Sequence, residues 1–128
     1  MLRCHDRAVN QTVLIVDDHA GFRSWTRSLL ETEGFQVVGE TADGESAVTA
    51  ARDLRPDLVL LDVMLPDGSG FAVAERMAAL ADPPRVVLIS TREASDYGDV
   101  VGHSAAVGFI SKTDLSGPRL RAVIGGMP

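Results

Sequence analysis

Short apolar runs alternate along the chain with segments in which apolar residues recur at helical spacing. The runs predict five strands, at residues 12–16, 35–39, 58–61, 86–89 and 107–110. Three of the runs are continuous stretches of β-branched residues and leucine, which is the pattern of strands buried on both faces. The second run alternates between apolar and polar residues and is therefore expected at an edge of the sheet.

The intervening segments predict five helices. Gly98 and Gly102 weaken the fourth, because glycine lowers helix propensity. Trp25, on the first helix, is expected to pack into the core. The second helix has Asp43 as its N-cap, and Pro118 suits the first turn of the last helix. The predicted helical segments are residues 22–30, 43–54, 70–81, 94–106 and 118–125.

Alternating strands and helices with short connections predict an α/β fold with a parallel sheet covered on both faces. Five strands and five helices fit the doubly wound, flavodoxin-like (βα)5 arrangement, with strand order 2-1-3-4-5, by analogy with known folds. The chain of 128 residues, 45% of them hydrophobic, is long enough for one domain with its own core. We expect residues 1–10 to form a flexible N-terminal segment and residues 11–128 to form a single domain without an output domain.

Charge and composition exclude several classes of function. The net charge of −6 argues against direct nucleic-acid binding, which requires a basic surface. No apolar stretch approaches the length of about 20 residues that spans a bilayer, and the polar N-terminus lacks the core of a secretory signal. The single cysteine, Cys4, is typical of a reducing compartment, so we expect a cytoplasmic protein without membrane insertion.

Polar residues follow the predicted strands at the points where they end. Asp17 and Asp18 follow the first strand, and Asp62 follows the third. Ser90 follows the fourth strand, and Lys112 comes shortly after the fifth. The carboxyl ends of parallel strands lie along one edge of a sheet, so these side chains are expected to converge at the place where such folds bind ligands.

Three clustered carboxylates repel one another unless a cation compensates their charge. A set of oxygen ligands suits Mg²⁺, with Mn²⁺ as an alternative. The only lysine of the chain, Lys112, supplies a compact positive charge that arginine cannot reproduce. A carboxylate beside a metal, with a lysine and a hydroxyl nearby, is the equipment for accepting a phosphoryl group, and one of the aspartates can be the nucleophile. His19 is expected at the surface.

These residues resemble the receiver domain of two-component response regulators, over a stretch from Gln11 to about Gly125. The resemblance is carried by the acidic pair, Ser90, Lys112 and the segment Asp62-Val-Met-Leu-Pro-Asp-Gly-Ser-Gly70. It implies that Asp62 is the phosphoacceptor of a phosphorylation-dependent signalling switch.

The same resemblance implies how the metal is held. Asp18 and Asp62 would bind Mg²⁺ directly, Asp17 would act through water, and the backbone carbonyl of Met64 would complete the protein ligands. Because the backbone supplies this last ligand, the identity of the Met64 side chain is not important for metal binding.

Further roles follow from the resemblance. Lys112 would contact the phosphoryl group, and Ser90 would move towards it. Phe109 falls at the position of the aromatic switch, with a plain core phenylalanine as the alternative interpretation. Thr91 stands where the family usually has alanine or glycine, so it is predicted, with Arg92, to modulate access to the site.

The resemblance also implies partners. A sensor histidine kinase or a phosphotransfer protein would donate the phosphoryl group. A downstream protein would bind the face formed by helix 4, strand 5 and helix 5, and the chain could also dimerise. Thr113 follows Lys112 where the family commonly has proline, which leaves open whether the usual cis peptide forms.

The resemblance implies a phosphoacceptor protein rather than an enzyme, and three alternatives remain. The first is a receiver-like scaffold that is not phosphorylated. The second is a Mg²⁺-dependent phosphohydrolase with an aspartyl-phosphate intermediate; such enzymes usually need an acid two residues after the nucleophile, where this chain has Met64. The third is a flavodoxin-like cofactor binder, which Asp17 and Asp18 disfavour because they would repel a phosphate.

Overall fold

The computed structural model of the protein describes residues 11–125. Five parallel strands form one sheet. Counted along the chain, the strands lie in the order second, first, third, fourth, fifth, which confirms the predicted doubly wound, flavodoxin-like fold. The predicted flexible segment at residues 1–10 lies outside the described residues. The strands are β1 (Thr12–Val16), β2 (Gln36–Thr41), β3 (Leu58–Asp62), β4 (Arg85–Ser90) and β5 (Gly108–Ser111). The helices are α1 (Ala20–Thr32), α2 (Gly44–Leu54), α3 (Gly70–Ala78), α4 (Val100–His103) and α5 (Gly117–Gly125).

The sheet separates the core into two layers, because alternate residues of each strand point to opposite faces. Val13 and Ile15 of β1 pack with residues of α1 and α5 on one face. Leu14 and Val16 pack with residues of α2 and α3 on the other. All four side chains are fully buried. Burial on both faces explains why the central strands are continuously apolar rather than alternating.

The start of α2 is held by two aspartates. The side chain of Asp43 accepts a hydrogen bond from the backbone N–H of Ser46, which confirms the predicted N-cap. Asp67, from the loop after β3, accepts from the N–H groups of Gly44 at 2.8 Å and Glu45 at 3.0 Å. Three otherwise unpaired helix donors are thus satisfied, and the loop after β3 is tied to α2.

The fourth predicted helix, at residues 94–106, is wrong in extent. A 3₁₀ turn at Ala94–Tyr97 and the short helix α4 occupy this segment instead. Between them Gly98 has a φ of +62°, a conformation that breaks a right-handed helix and that favours glycine. The third helix also ends earlier than predicted: Ala79 and Leu80 donate to the carbonyls three residues before them, and this tightening closes α3 at Ala78.

The prediction that Trp25 packs into the core is wrong, since the residue is 51% exposed. The buried stripe of α1 runs through Thr26 and Leu30, and Trp25 lies one residue, about 100°, to the side of it. Its ring contacts Phe22 at a centroid distance of 6.0 Å. None of the helices within residues 11–125 combines the length and the apolar character needed to cross a membrane.

Candidate functional site

The carboxyl ends of β1, β3, β4 and β5 converge on one pocket, as the sequence predicts. The pocket has a volume of about 320 Å³. Asp17 lies fully buried directly after β1, and Asp62, the last residue of β3, is 5% exposed. The pocket is lined by Asp18, His19, Asp62, Met64, Leu65, Pro66, Ser90, Thr91 and Lys112.

Lys112 joins the two buried carboxylates. Its Nζ lies 2.6 Å from Oδ2 of Asp17 and 3.1 Å from Oδ2 of Asp62. The contact with Asp62 has hydrogen-bond geometry, whereas Oδ2 of Asp17 has no well-directed hydrogen bond within the described residues. The ammonium also lies 4.3 Å from the centre of the Phe22 ring. The single ammonium of Lys112 therefore neutralises only part of the negative charge that the carboxylates of Asp17 and Asp62 carry when both are ionised.

The two buried carboxyls differ in acidity. Burial raises the pKa of Asp62 above its usual value, the backbone N–H of Met64 opposes this effect, and the neighbouring Asp17 adds to it. Burial also acts to raise the pKa of Asp17, but Lys112 and the backbone N–H of His19 outweigh it, and the net pKa of Asp17 is lowered. The site therefore favours the ionised form of Asp17 and disfavours the ionised form of Asp62.

The loop after β3 positions Asp62. The N–H of Met64 donates to Oδ1 of Asp62 at 3.0 Å. The chain then turns back in a short antiparallel hairpin, in which Met64–Leu65 pairs with Gly68–Ser69. The N–H of Gly70 donates to the carbonyl of Val63 at 2.6 Å. A Cβ at Gly70 would lie 2.2 Å from the carbonyl oxygen of Asp62, so only glycine fits this close approach.

The donor set fits a hard divalent cation. One ligand atom from each of Asp17, Asp18, His19 and Asp62 lies within 4.8 Å of the others. Asp17 Oδ2 is buried in contact with the Lys112 ammonium, and the negative charge that this single ammonium leaves uncompensated would favour a cation beside Asp18 and Asp62. Carboxylate oxygens are the ligands that Mg²⁺ prefers, and Met64 lies where its backbone can line the same pocket.

His19 is exposed, as predicted, but it also contacts both members of the acidic pair. Its Nδ1 lies 3.2 Å from Oδ1 of Asp17 and 3.1 Å from Oδ1 of Asp18. These contacts were not predicted from the sequence. The sequence does contain a signal for them: His19 directly follows Asp17 and Asp18 at the start of a helix, where its ring can contact both carboxylates.

Ser90 is 1% exposed at the end of β4. Its hydroxyl lies 2.7 Å from the hydroxyl of Tyr97 and accepts from the N–H of Arg92 at 3.1 Å. Thr91 and Arg92, the predicted access modulators, are both exposed, Thr91 in the lining of the pocket and Arg92 beside it. Their effect on access stays a prediction.

Phe109 is half-buried, and its ring centre lies 5.8 Å from that of Tyr97. This position is compatible with both interpretations of Phe109, as a switch and as a core residue. The described residues contain no cis peptide bond, so the bond between Lys112 and Thr113 is trans.

The fold and the pocket together define an α/β protein whose sheet edge brings buried carboxylates, a lysine and a hydroxyl to one pocket. The chain belongs to the response regulator receiver domain family, which it matches over residues 13–124. Proteins of this family generally act as signalling phosphoacceptors, typically bind Mg²⁺ in an acidic pocket, and interact with histidine kinases or phosphotransfer proteins.

Similar curated proteins are longer than this chain. It is 39% identical over 100 residues to the virulence factors putative positive transcription regulator BvgA of Bordetella pertussis, covering 78% of this chain and 48% of that protein. It is 35% identical over 101 residues to the response regulator GacA of Pseudomonas aeruginosa, covering 78% of this chain and 47% of that protein. The chain therefore spans about half the length of the curated relatives it matches.

Solved structures agree with the fold. The response regulator domain of Thermotoga maritima CheB superposes with a TM-score of 0.79 at 28% identity, covering 93% of this chain and 99% of that one. A LuxR-family two-component response regulator from Aurantimonas superposes with a TM-score of 0.80 at 26% identity, covering 91% and 83% respectively.

Proposed function

We propose that this chain is a phosphorylation-dependent signalling switch in which Asp62 accepts a phosphoryl group. The observation that carries the proposal is the position of the Asp62 carboxylate, buried at the end of β3, in contact with Lys112 and facing a pocket of about 320 Å³. An exposed carboxylate in water has neither a fixed orientation nor a nearby charge to receive an anion, and Asp62 has both.

The proposed donor is a phosphohistidine of a sensor kinase or a phosphotransfer protein. An oxygen of the Asp62 carboxylate attacks phosphorus, the bond between phosphorus and the histidine nitrogen breaks, and its electron pair returns to the imidazole. The product is an acyl phosphate on Asp62. The raised pKa of Asp62 is compatible with this role, because burial destabilises the free carboxylate and so favours its reaction.

Four groups would hold the cation: the carboxylates of Asp18 and Asp62, Asp17 through water, and the backbone carbonyl of Met64. When bound, Mg²⁺ or Mn²⁺ supplies positive charge to the phosphoryl oxygens. Lys112, which contacts both Asp17 and Asp62, would supply a second positive charge.

Phosphorylation would draw Ser90 towards the new oxygens and change the face formed by α4, β5 and α5, with Phe109 as the aromatic member of the switch. A downstream protein or a second copy of the chain would bind this face. The chemistry of the chain would be limited to its own phosphotransfer and dephosphorylation.

Labelling with acetyl phosphate tests the assignment. Intact mass spectrometry with Mg²⁺ present should show one phosphoryl adduct on the wild type, none on Asp62→Asn, and none after chelation of the metal. Asp67→Asn is the matched control, because Asp67 is an exposed carboxylate of the same loop, and it should label like the wild type.

Other outcomes favour the alternatives. Labelling of Asp62→Asn at the wild-type level would show that another group is the acceptor. Folded wild type that neither labels nor binds Mg²⁺ would indicate the scaffold. Release of more than one equivalent of phosphate from a generic phosphate ester would indicate the phosphohydrolase.

A further inference from the structure

Tyr97 lies at the junction of three elements near the pocket. It ends the 3₁₀ turn between β4 and α4. Its ring packs edge-on against Phe71 of α3, with 5.4 Å between centroids, and lies 5.8 Å from Phe109 of β5. Its hydroxyl lies 2.7 Å from the hydroxyl of Ser90 at the end of β4. The aromatic contacts fix the ring, and the fixed ring sets where its hydroxyl can be.

This hydrogen bond engages the hydroxyl of Ser90, a residue that lines the pocket of Asp62. Within residues 11–125, the hydrogen bonds of the Ser90 hydroxyl go to Tyr97 and to the N–H of Arg92, and none goes to Asp62 or Lys112. A serine side chain occupies one staggered rotamer at a time. Rotation of the Ser90 hydroxyl towards a group on Asp62 therefore breaks its bond to Tyr97.

The segment that carries Tyr97 has little else to hold it. None of the residues from 91 to 104 is buried. Gly98 follows Tyr97 directly with a φ of +62°, and α4, which contains Gly102, is only four residues long. Segments with few buried contacts open at low cost in free energy. The ring of Tyr97, which packs against the core, and its bond to Ser90 attach this segment to the sheet.

We propose that Tyr97 is a positioning residue that holds Ser90 away from Asp62 in the unphosphorylated protein, so that a phosphoryl group on Asp62 takes Ser90 from Tyr97 and releases residues 91–103. This inference rests on the proposed function of Asp62. It adds the residue that links the pocket to the segment leading into α4.

The test compares wild type with Tyr97→Phe, which keeps the ring and removes the hydroxyl. Beryllofluoride with Mg²⁺ serves as the probe, and its binding is followed by ¹⁹F NMR. The variant should bind beryllofluoride about five-fold more tightly, because it has no Ser90–Tyr97 bond to lose, and one neutral hydrogen bond is worth about 1 kcal/mol. Equal or weaker binding by Tyr97→Phe would overturn the inference.

Ser90→Ala provides the control background. In it Tyr97→Phe should change beryllofluoride affinity less than two-fold, and a persisting five-fold gain would show that Tyr97 acts through another contact. Amide hydrogen exchange supplies a second measurement on the wild type. Residues 91–103 should exchange faster when beryllofluoride is bound, and unchanged or slower exchange would contradict the release of this segment.

The two proposals fail in distinguishable ways. Absence of beryllofluoride binding by the wild type, with Asp62→Asn equally silent, would overturn the proposed function and this inference with it. Binding that depends on Asp62 but not on the Tyr97 hydroxyl would overturn this inference alone.

Discussion

Among residues 11–125, Lys112 is the only positively charged residue in contact with both buried carboxylates, so its removal tests the electrostatics of the site directly. Lys112→Met keeps most of the aliphatic stem and removes the ammonium. The Lys112 side chain is 11% exposed and that of Asp17 is fully buried, so solvent screens their contact weakly. We expect the variant to fold and to be clearly less stable than the wild type at pH 7 without divalent cations.

The expected size follows from the distances. At an effective dielectric constant of about 20, unit charges at the 2.6 and 3.1 Å separations of this site attract by about 6 and 5 kcal/mol. Desolvation of the ammonium offsets much of this gross attraction. Removal of one partner from a buried pair typically costs about 3–5 kcal/mol, and we expect a loss in free energy of unfolding of that order.

The loss should depend on pH with a defined sign. In Lys112→Met both carboxyls lose the ammonium that lowers their pKa values, while the backbone N–H groups of His19 and Met64 remain. The pKa of Asp62, which burial already raises, therefore rises further, and at this group the folded state holds more protons than the unfolded state. The stability of the variant should therefore increase as pH falls from 7 towards 4. In the wild type the lowered pKa of Asp17 acts in the opposite direction: its stabilisation is present above 3.8, its usual value, and is lost as pH falls through the folded value.

Urea unfolding at pH 7 and pH 5, in chelator and in Mg²⁺, measures these effects. Mg²⁺ should stabilise the variant more than the wild type, since it replaces part of the missing charge. Lys112→Arg separates the effect of charge from that of shape, because it retains a positive charge but not the compact ammonium. A loss below about 1 kcal/mol in Lys112→Met at pH 7, or a further loss on acidification, would refute the assignment of Lys112 as the neutralising cation.

Three further predictions concern the scaffold of the site. Gly70→Ala should lower the free energy of unfolding by about 2–3 kcal/mol in urea titrations and reduce acetyl phosphate labelling, because its Cβ would lie 2.2 Å from the Asp62 carbonyl. Asp43→Ala should cost about 1 kcal/mol through loss of the α2 N-cap, measured in the same way. Glu40→Gln should lower the free energy of unfolding by about 0.5 kcal/mol at pH 7. The hydrogen bond from Arg27 lowers the pKa of Glu40, so its stabilisation is lost when Glu40 is protonated. The difference in stability between variant and wild type should therefore vanish as pH falls well below 4.5, the usual pKa of the group.

The strand pattern was readable from the chain because it reports burial directly. A strand covered on both faces must be apolar throughout, and the runs at β1, β3 and β4 are apolar for that reason. Because the carboxyl ends of parallel strands lie along one edge of a sheet, the polar residues that end these runs could be placed together at that edge. Asp17, Asp62, Ser90 and Lys112 meet there as predicted.

The wrong predictions concern places where tertiary packing departs from what the local sequence pattern indicates. Trp25 lies within helical spacing of apolar neighbours, but the direction of α1 against the sheet places Thr26 and Leu30 inward and leaves the tryptophan exposed. In the segment after β4, glycine conformation and the scarcity of buried side chains shorten the predicted helix to a single turn.

Hydrophobic order along the chain thus determined the strands, the parallel sheet and the edge at which charged groups gather, because each of these depends on periodicity and on the rules of chain connection. The strand order was predicted by analogy with known folds. The tertiary structure alone decided the pairings across that edge: the ammonium between Asp17 and Asp62, and Tyr97 with its hydroxyl against Ser90. Such contacts depend on rotamers and on the path of irregular loops, which residue spacing does not encode. The physical reason is that burial leaves a periodic trace in sequence, whereas a contact between two side chains on separate elements leaves none.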